Sequence, residues 1–223
     1  MKRKTTAGLA SVPTRKESMI RVVKSLADQA DGIIVALNGY QEIPHALREI
    51  RNVRCVILDN ALGDAAKFYY VQDVDGIYLS CDDDLVYPSG YVAYMVSKIQ
   101  QYNAIITLHG RRYDRRPITS FRRRFSLNYH CLHTYTYDTE LDVGGTGVMA
   151  FDTERFKLAI TDFPVPNMAD VWLAKRAHEQ NVPIMGVAHD HKYLTYLNPG
   201  KDTIWAKSKN DSLHTSVLRG FLK

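Results

Sequence analysis

The sequence predicts an α/β fold, a mostly parallel central sheet flanked by helices, in a single domain over residues 1–223. Three observations carry this. Short apolar runs of strand length alternate with longer stretches whose apolar residues recur at helical spacing, the pattern of repeated β-α units. Several of the runs are apolar throughout rather than alternating, as in strands covered on both faces. Composition is that of an ordinary globular chain, 45% hydrophobic and 24% charged over 223 residues, which excludes disordered, collagenous and coiled-coil classes.

The elements follow in order. A first strand covers Thr6–Val12. Thr14 and Glu17 then have capping-box spacing, and Met19, Ile20, Val22, Val23, Leu26 and Ala27 fall on one helical face. Gly32–Leu37 is a second strand, Ile43, Leu47 and Ile50 space out a short helix, and Val53–Leu58 is a third strand. Gly76–Cys81 is a fourth strand running directly into Asp82, Asp83 and Asp84. Pro88 suits the first turn of the next helix, whose apolar stripe is Val92, Met95, Val96 and Ile99. Ala104–Leu108 is a fifth strand. Residues 109–142 show no clear period, and a long irregular segment inside a compact domain is usually functional. Regularity returns with a strand at Gly147–Phe151, helical stretches at Thr153–Ile160 and about Ala169–Gln180, and a last strand at Ile184–Ala188. The tail from Lys192 has no strong periodicity.

No apolar run approaches the ~18 residues needed to span a bilayer. The basic N-terminus lacks the apolar stretch of a secretory signal. Cys55, Cys81 and Cys131 form an odd set with no close spacing. A reduced, cytoplasmic setting is the expectation. Net charge is +5, and residues 111–124 contribute seven arginines against one aspartate. Such a segment attracts anions: nucleic acid, phospholipid head groups or phosphorylated substrates.

The aspartate triplet is the most informative feature. It lies at the carboxyl end of an apolar strand, the edge where open parallel sheets bind ligands. Adjacent carboxylates repel one another, and a divalent cation holds them ionised together. Mg²⁺ or Mn²⁺ takes one or two carboxylates and completes its shell with water and phosphate oxygens. The competing reading is an acidic turn capping the next helix. A calcium loop is excluded by the missing ligand pattern, and zinc is not expected because no C-x-x-C or H-E-x-x-H occurs.

LASVPTR (9–15), GDAAK (63–67), YLSCDDD (78–84), and GGTGVMAFD (144–152) with NMADVWLAKRA (167–177) occur in this order along most of the chain. Together they resemble the glycosyltransferases of the GT-A fold, similar to the family 2-like enzymes that build bacterial or viral polysaccharides. The resemblance implies a nucleotide-binding half at 1–108 and an acceptor and donor-sugar half at 109–223. It implies a UDP-linked sugar donor, Mn²⁺ or Mg²⁺, and inversion at the anomeric carbon.

Residue by residue, it places Ser11, Val12 and Arg15 in the nucleotide-holding loop and Lys67 against the nucleotide. Asp82 would lie on the ribose or uridine side, with Asp83 beside it, and also near the metal. Asp84 would ligate the metal, with His191, or alternatively His189, as a further ligand. Gly144 and Gly145 would line the donor-sugar cleft, and Asp170 would be the general base. Asn167 and Asp170 also have the spacing of a helix N-cap and its third-position acid. The arginine-rich stretch would meet a glycan or lipid-linked acceptor, with peripheral contact at the inner membrane face. Two other readings stand beside this one: a sugar-phosphate nucleotidyltransferase, disfavoured because the first loop reads SVPTRKE, and a non-catalytic nucleic-acid binder, disfavoured by the aspartates.

Overall fold

The computed structural model describes residues 3–113, 117–123, 125–197 and 211–222. The chain begins β1 (Thr5–Ser11), α1 (Lys16–Ala27), β2 (Gly32–Asn38), α2 (His45–Arg48), β3 (Val53–Leu58). A 3-10 segment at Gly63–Phe68 leads to β4 (Ile77–Cys81), followed by β5 (Leu85–Val86), α3 (Tyr91–Tyr102) and β6 (Ile105–Thr107). Then come β7 (Gly110–Arg112), β8 (Leu127–Tyr129), β9 (Thr139–Leu141), β10 (Val143–Gly144) and β11 (Val148–Asp152). The described chain closes with α4 (Ala169–Glu179), β12 (Ile184–Gly186), β13 (Thr195–Tyr196) and α5 (Ser212–Phe221).

Eight strands form the central sheet in the order β3-β2-β1-β4-β11-β6-β12-β9. Strands β3, β2, β1 and β4 are parallel, as are β6 and β12, while β11 and β9 run against their neighbours. The sheet is therefore mostly parallel and flanked by helices, a GT-A-like architecture. The reversal of β11 beside β4 sets Val148 opposite Cys81 and Met149 opposite Ser80. It brings the loop entering β11 to the same edge as the loop leaving β4.

Alternation along β4 divides the core. Ile77, Leu79 and Cys81 pack with Met19, Val22 and Leu26 of α1 and Met95 and Ile99 of α3. Tyr78, on the opposite face, packs with Phe68, Phe151, and residues of α4 and α5 such as Leu173 and Leu218. Burying a leucine such as Leu79 fully contributes about 1.5–3 kcal/mol. Gly8 is required where β1 passes beneath this second face. A Cβ there would lie 1.8 Å from the Tyr78 hydroxyl and 2.5 Å from the Lys67 carbonyl oxygen.

Several expectations are corrected. The Thr14–Glu17 capping box does not form, because Pro13–Arg15 makes a 3-10 turn and α1 starts at Lys16 without a side-chain cap. Pro88 precedes its helix rather than entering it: Gly90 is the N-cap, and Tyr91 N donates to Pro88 O at 3.1 Å. Thr153–Ile160 is not a helix. The chain turns once, with Phe156 N donating to Asp152 O at 2.9 Å, and then Lys157 N donates to Gln180 Oε1 at 2.9 Å, tying it to the end of α4. Residues 109–142 are not wholly irregular, since β7, β8 and β9 lie there. The tail carries α5. Met168, not Asn167, is the N-cap of α4. Among the described residues no helix is long and apolar enough to cross a membrane.

Candidate active site

A cleft of about 1040 Å³ opens at the carboxyl edge of β1, β2 and β4. Ser11, Val12, Arg15, Lys67, Asp82, Asp83, Asp84, Gly145 and Asp170 all line it. Each arrives by a local route. Ser11 ends β1, and its hydroxyl is 3.5 Å from that of Tyr40, which in turn donates to Val12 O at 3.0 Å. Arg15 closes the 3-10 turn and folds back over the sheet edge, donating through Nη1 to Asp83 Oδ1 at 2.7 Å and to Asp84 Oδ2 at 3.3 Å. Lys67, only 5% exposed, is buried in the 3-10 segment and donates through Nζ to Asp82 Oδ1. The Tyr78 hydroxyl donates to the Lys67 carbonyl and fixes that segment.

The three aspartates differ in exposure. Asp83 is 4% exposed and is held by Arg15 and the Ser11 hydroxyl. Asp82 is the most open, with a side chain 43% exposed against 13% for Asp84. Burial pushes the Asp84 carboxyl up to about 7, with Asp82 and Asp83 adding to the rise and Arg15 opposing it. Arg15 is itself held above its ordinary value: burial acts against the charged form, and Asp83 and Asp84 outweigh it. Burial likewise acts against the Lys67 ammonium, but Asp82 outweighs it and raises the group. Three carboxylates thus face two cations. Hard oxygen donors outnumbering the cations fit a divalent ion such as Mn²⁺ or Mg²⁺, whose charge would hold Asp84 ionised. Gly147 leaves the space that Asp82 occupies, since a Cβ there would sit 2.0 Å from Asp82 Oδ2.

Asp170 is the second residue of α4. Its Oδ1 accepts from Thr146 N at 2.8 Å and from Thr146 Oγ1 at 2.7 Å. Thr146 lies in the loop entering β11, so the reversed strand carries Asp170's partner to the aspartate edge. The α4 terminus is capped from elsewhere: Ala169 N donates to Asp64 Oδ2 at 3.1 Å. The other Asp64 oxygen is buried without a hydrogen-bond partner among the described residues. Burial pushes Asp64 up to about 6, with Lys67 opposing and Asp170 adding.

Three predicted residues lie elsewhere. Gly144 is packed inside, where a Cβ would meet Met149, Ile184 and Thr107, and it does not line the cleft. His191 is exposed and outside the cleft lining. His189 is buried, with Nδ1 2.8 Å from Val187 O and its ring against Tyr129, and it too lies outside the cleft lining. The histidines that do line the cleft are His109, His130 and His214. His109 is driven down to about 3 by burial, with Arg111 and His130 adding to the fall, and burial lowers His130 as well. Both are neutral near pH 7. His109, His130, Asp64 and Thr146 had no sequence signal of their own, except that Asp64 sits inside the GDAAK block.

The far wall carries Arg111, Phe121, Arg122 and Phe125. Arg111 is buried, with its guanidinium carbon 4.7 Å from the Phe121 ring centre and 5.6 Å from that of Phe125. Arg115, Arg116 and Arg124 lie outside the described residues.

No protein-family model matches the chain, and no curated protein matches it in sequence. The fold, in contrast, is that of a known class, the GT-A-like proteins. Glucosyl-3-phosphoglycerate synthase from Mycobacterium tuberculosis, crystallised with Mn²⁺, UDP-glucose and phosphoglyceric acid, is similar at a TM-score of 0.57 and 15% identity. The match covers 99% of this chain and 81% of that one. A second structure of the same complex is similar at a TM-score of 0.54, with the same identity and coverage. A structure described as a mycobacterial protein is similar at 0.52 and 15% identity, over 97% of this chain and 71% of the other.

Proposed function

We propose that this protein transfers a glycosyl group from a nucleoside-diphosphate sugar, UDP-linked, to a hydroxyl acceptor. The observation carrying this reading is that Asp82, Asp84 and Asp170 line one cleft, joined across the β4–β11 ladder. The similar fold of an enzyme crystallised with Mn²⁺ and UDP-glucose supports it.

Asp84 and Asp82 would hold Mn²⁺ or Mg²⁺, which when bound neutralises charge on the departing diphosphate. Ser11, Val12 and Arg15 border the nucleotide's place, and Asp83 keeps Arg15 pointed inward. Lys67 orients Asp82 and adds positive charge beside the phosphates. Asp170 accepts the acceptor's hydroxyl proton. Its Thr146 bonds occupy one oxygen, Oδ1, and leave Oδ2 to meet the hydroxyl within hydrogen-bond reach. Attack opposite the leaving group inverts the anomeric carbon. Arg111 and Arg122 on the far wall suit an acceptor carrying phosphate or another anion, a lipid-linked one included.

The test is UDP release from UDP-sugars with Mn²⁺ present. Asp84→Asn and Asp170→Asn are each expected to lower the rate by about 10²–10⁴-fold. Wild-type turnover in both variants would sink the assignment, and pyrophosphate release from a nucleoside triphosphate would replace it with nucleotidyl transfer.

A further inference from the structure

Strand register brings a second set of donors into the cleft. β7 pairs antiparallel with β8, with Arg111 opposite Asn128 and Gly110 opposite Tyr129. The next facing pair beyond the ladder is His109 and His130. Their rings meet edge to face with centroids 5.0 Å apart. Cys131 follows in the turn, and its backbone N–H points at His109 Nδ1 from 3.5 Å. One ligand-capable atom from each of the three residues lies within 4.8 Å of the other two. All three line the cleft, and Cys131 is 7% exposed.

We propose that His109, His130 and Cys131 bind a borderline-soft divalent ion, Zn²⁺, at a site distinct from the aspartates. Two imidazoles and a thiolate are the donor set of zinc, whereas Asp82 and Asp84 offer the hard oxygens preferred by Mg²⁺ and Mn²⁺. Three protein ligands leave one tetrahedral position, which opens into the cleft. Donors around zinc lie roughly 3.3–3.7 Å apart, given bond lengths of about 2.0–2.3 Å. The observed spread therefore closes by about 1 Å, which side-chain rotation supplies.

The contacts now holding the rings are long: 3.5 Å from Cys131 N to His109 Nδ1 and 3.3 Å from Leu132 N to His130 Nδ1. Bonds of that length are weak and give way readily to a metal bond. Binding balances simply. Zn²⁺ takes an imidazole lone pair from each ring and the thiolate pair of Cys131, and the thiol proton leaves to solvent. His109 precedes β7 and His130 and Cys131 follow β8, some twenty positions on, so no short spacing motif exists in the sequence. Outside the cluster, His133 stacks on His130 with centroids 4.6 Å apart and limits its swing.

Co²⁺ spectroscopy of the metal-stripped full chain tests this. One equivalent of Co²⁺ is expected to give tetrahedral visible bands and a thiolate charge-transfer band, both erased by one equivalent of Zn²⁺. Cys131→Ser should abolish the charge-transfer band, while Cys55→Ser leaves it intact. His130→Asn provides the same loss should Cys131→Ser fail to fold, as judged by circular dichroism. Asp84→Asn is expected to leave the Co²⁺ spectrum unchanged. A wild-type spectrum without a thiolate band, a band that survives Cys131→Ser, or one lost in a folded Asp84→Asn variant would overturn the proposal.

Discussion

The two walls of the cleft are built by different means. The wall bearing Arg15, Lys67 and the aspartates hangs from strands five to seven residues long, paired in parallel and buried on both faces. The wall bearing His109, Arg111, His130 and Phe125 hangs from strands of three residues, paired antiparallel. The first is fixed by packing along its whole length. The second is held by a few pairings and by stacked aromatic and guanidinium groups. In the proposed transfer, fixed carboxylates would suit the diphosphate end of the donor, and an adaptable wall would suit acceptor choice.

The contrast can be broken most severely at Gly8. Gly8→Ala is expected to cost about 3 kcal/mol, because its Cβ would collide with the Tyr78 hydroxyl and the Lys67 backbone beneath the first wall. Chemical denaturation measures it, and a loss under 1 kcal/mol would show that wall to be softer than described. At Gly147→Ala the three nearest atoms are all of the Asp82 carboxylate, the far end of a side chain rather than backbone. Stability should change little while Mn²⁺ affinity falls about tenfold or more, a loss of ~1.4 kcal/mol, read by calorimetric titration.

A third prediction concerns pH. Asp84 and Asp64 titrate above the ordinary value of about 4, near 7 and 6 respectively. The folded metal-free chain keeps protons that the unfolded chain has lost. The stability these groups contribute is full below pH ~4 and is lost as pH rises through 6 and 7. In EDTA at pH 7, Asp84→Asn should melt higher than wild type, by on the order of 1 kcal/mol or roughly 2–4 °C. The difference should vanish at pH 4, and saturating Mn²⁺ should reverse it. A difference independent of pH would refute the electrostatic account of the triplet.

The smallest expected effect sharpens the comparison from the other side. Phe125→Ala, at a half-buried position, should raise the acceptor KM a few-fold and leave the donor KM unchanged, as measured by varying each substrate in turn. A shift in donor KM instead would erase the division between the walls.

The same difference explains what was legible in the sequence. Val53–Leu58 matches its strand residue for residue even at the sheet edge, and the aspartates follow the fully buried β4 as expected, because short apolar runs advertise themselves locally. Arg15 and Lys67 were visible as basic positions in ordered blocks. Their pairing with particular aspartates was not, because it depends on how a 3-10 turn folds back. β6 and β12 are as short as β7 and β8 but apolar, and the sequence shows them; β7 and β8, GRR and LNY, offer neither an apolar run nor a period, and the meeting of His109 and His130 is hidden with them. The direction of β11 is also silent in its own residues, since VMAFD reads alike in either direction. Asp64 acts on a helix 105 residues away, and no window along the chain contains both partners.

The antiparallel seam between β4 and β11 also constrains motion. Asp82 N donates to Gly147 O at 3.2 Å at its end, so the turn bearing Asp82, Asp83 and Asp84 and the loop bearing Thr146, the partner of Asp170, are tied to one rib. On the proposed reading, that rib sets the distance between the metal-binding carboxylates and the proton acceptor. Entry of substrate and escape of product would then fall to the outlying loops, leaving the reacting geometry untouched from one turnover to the next.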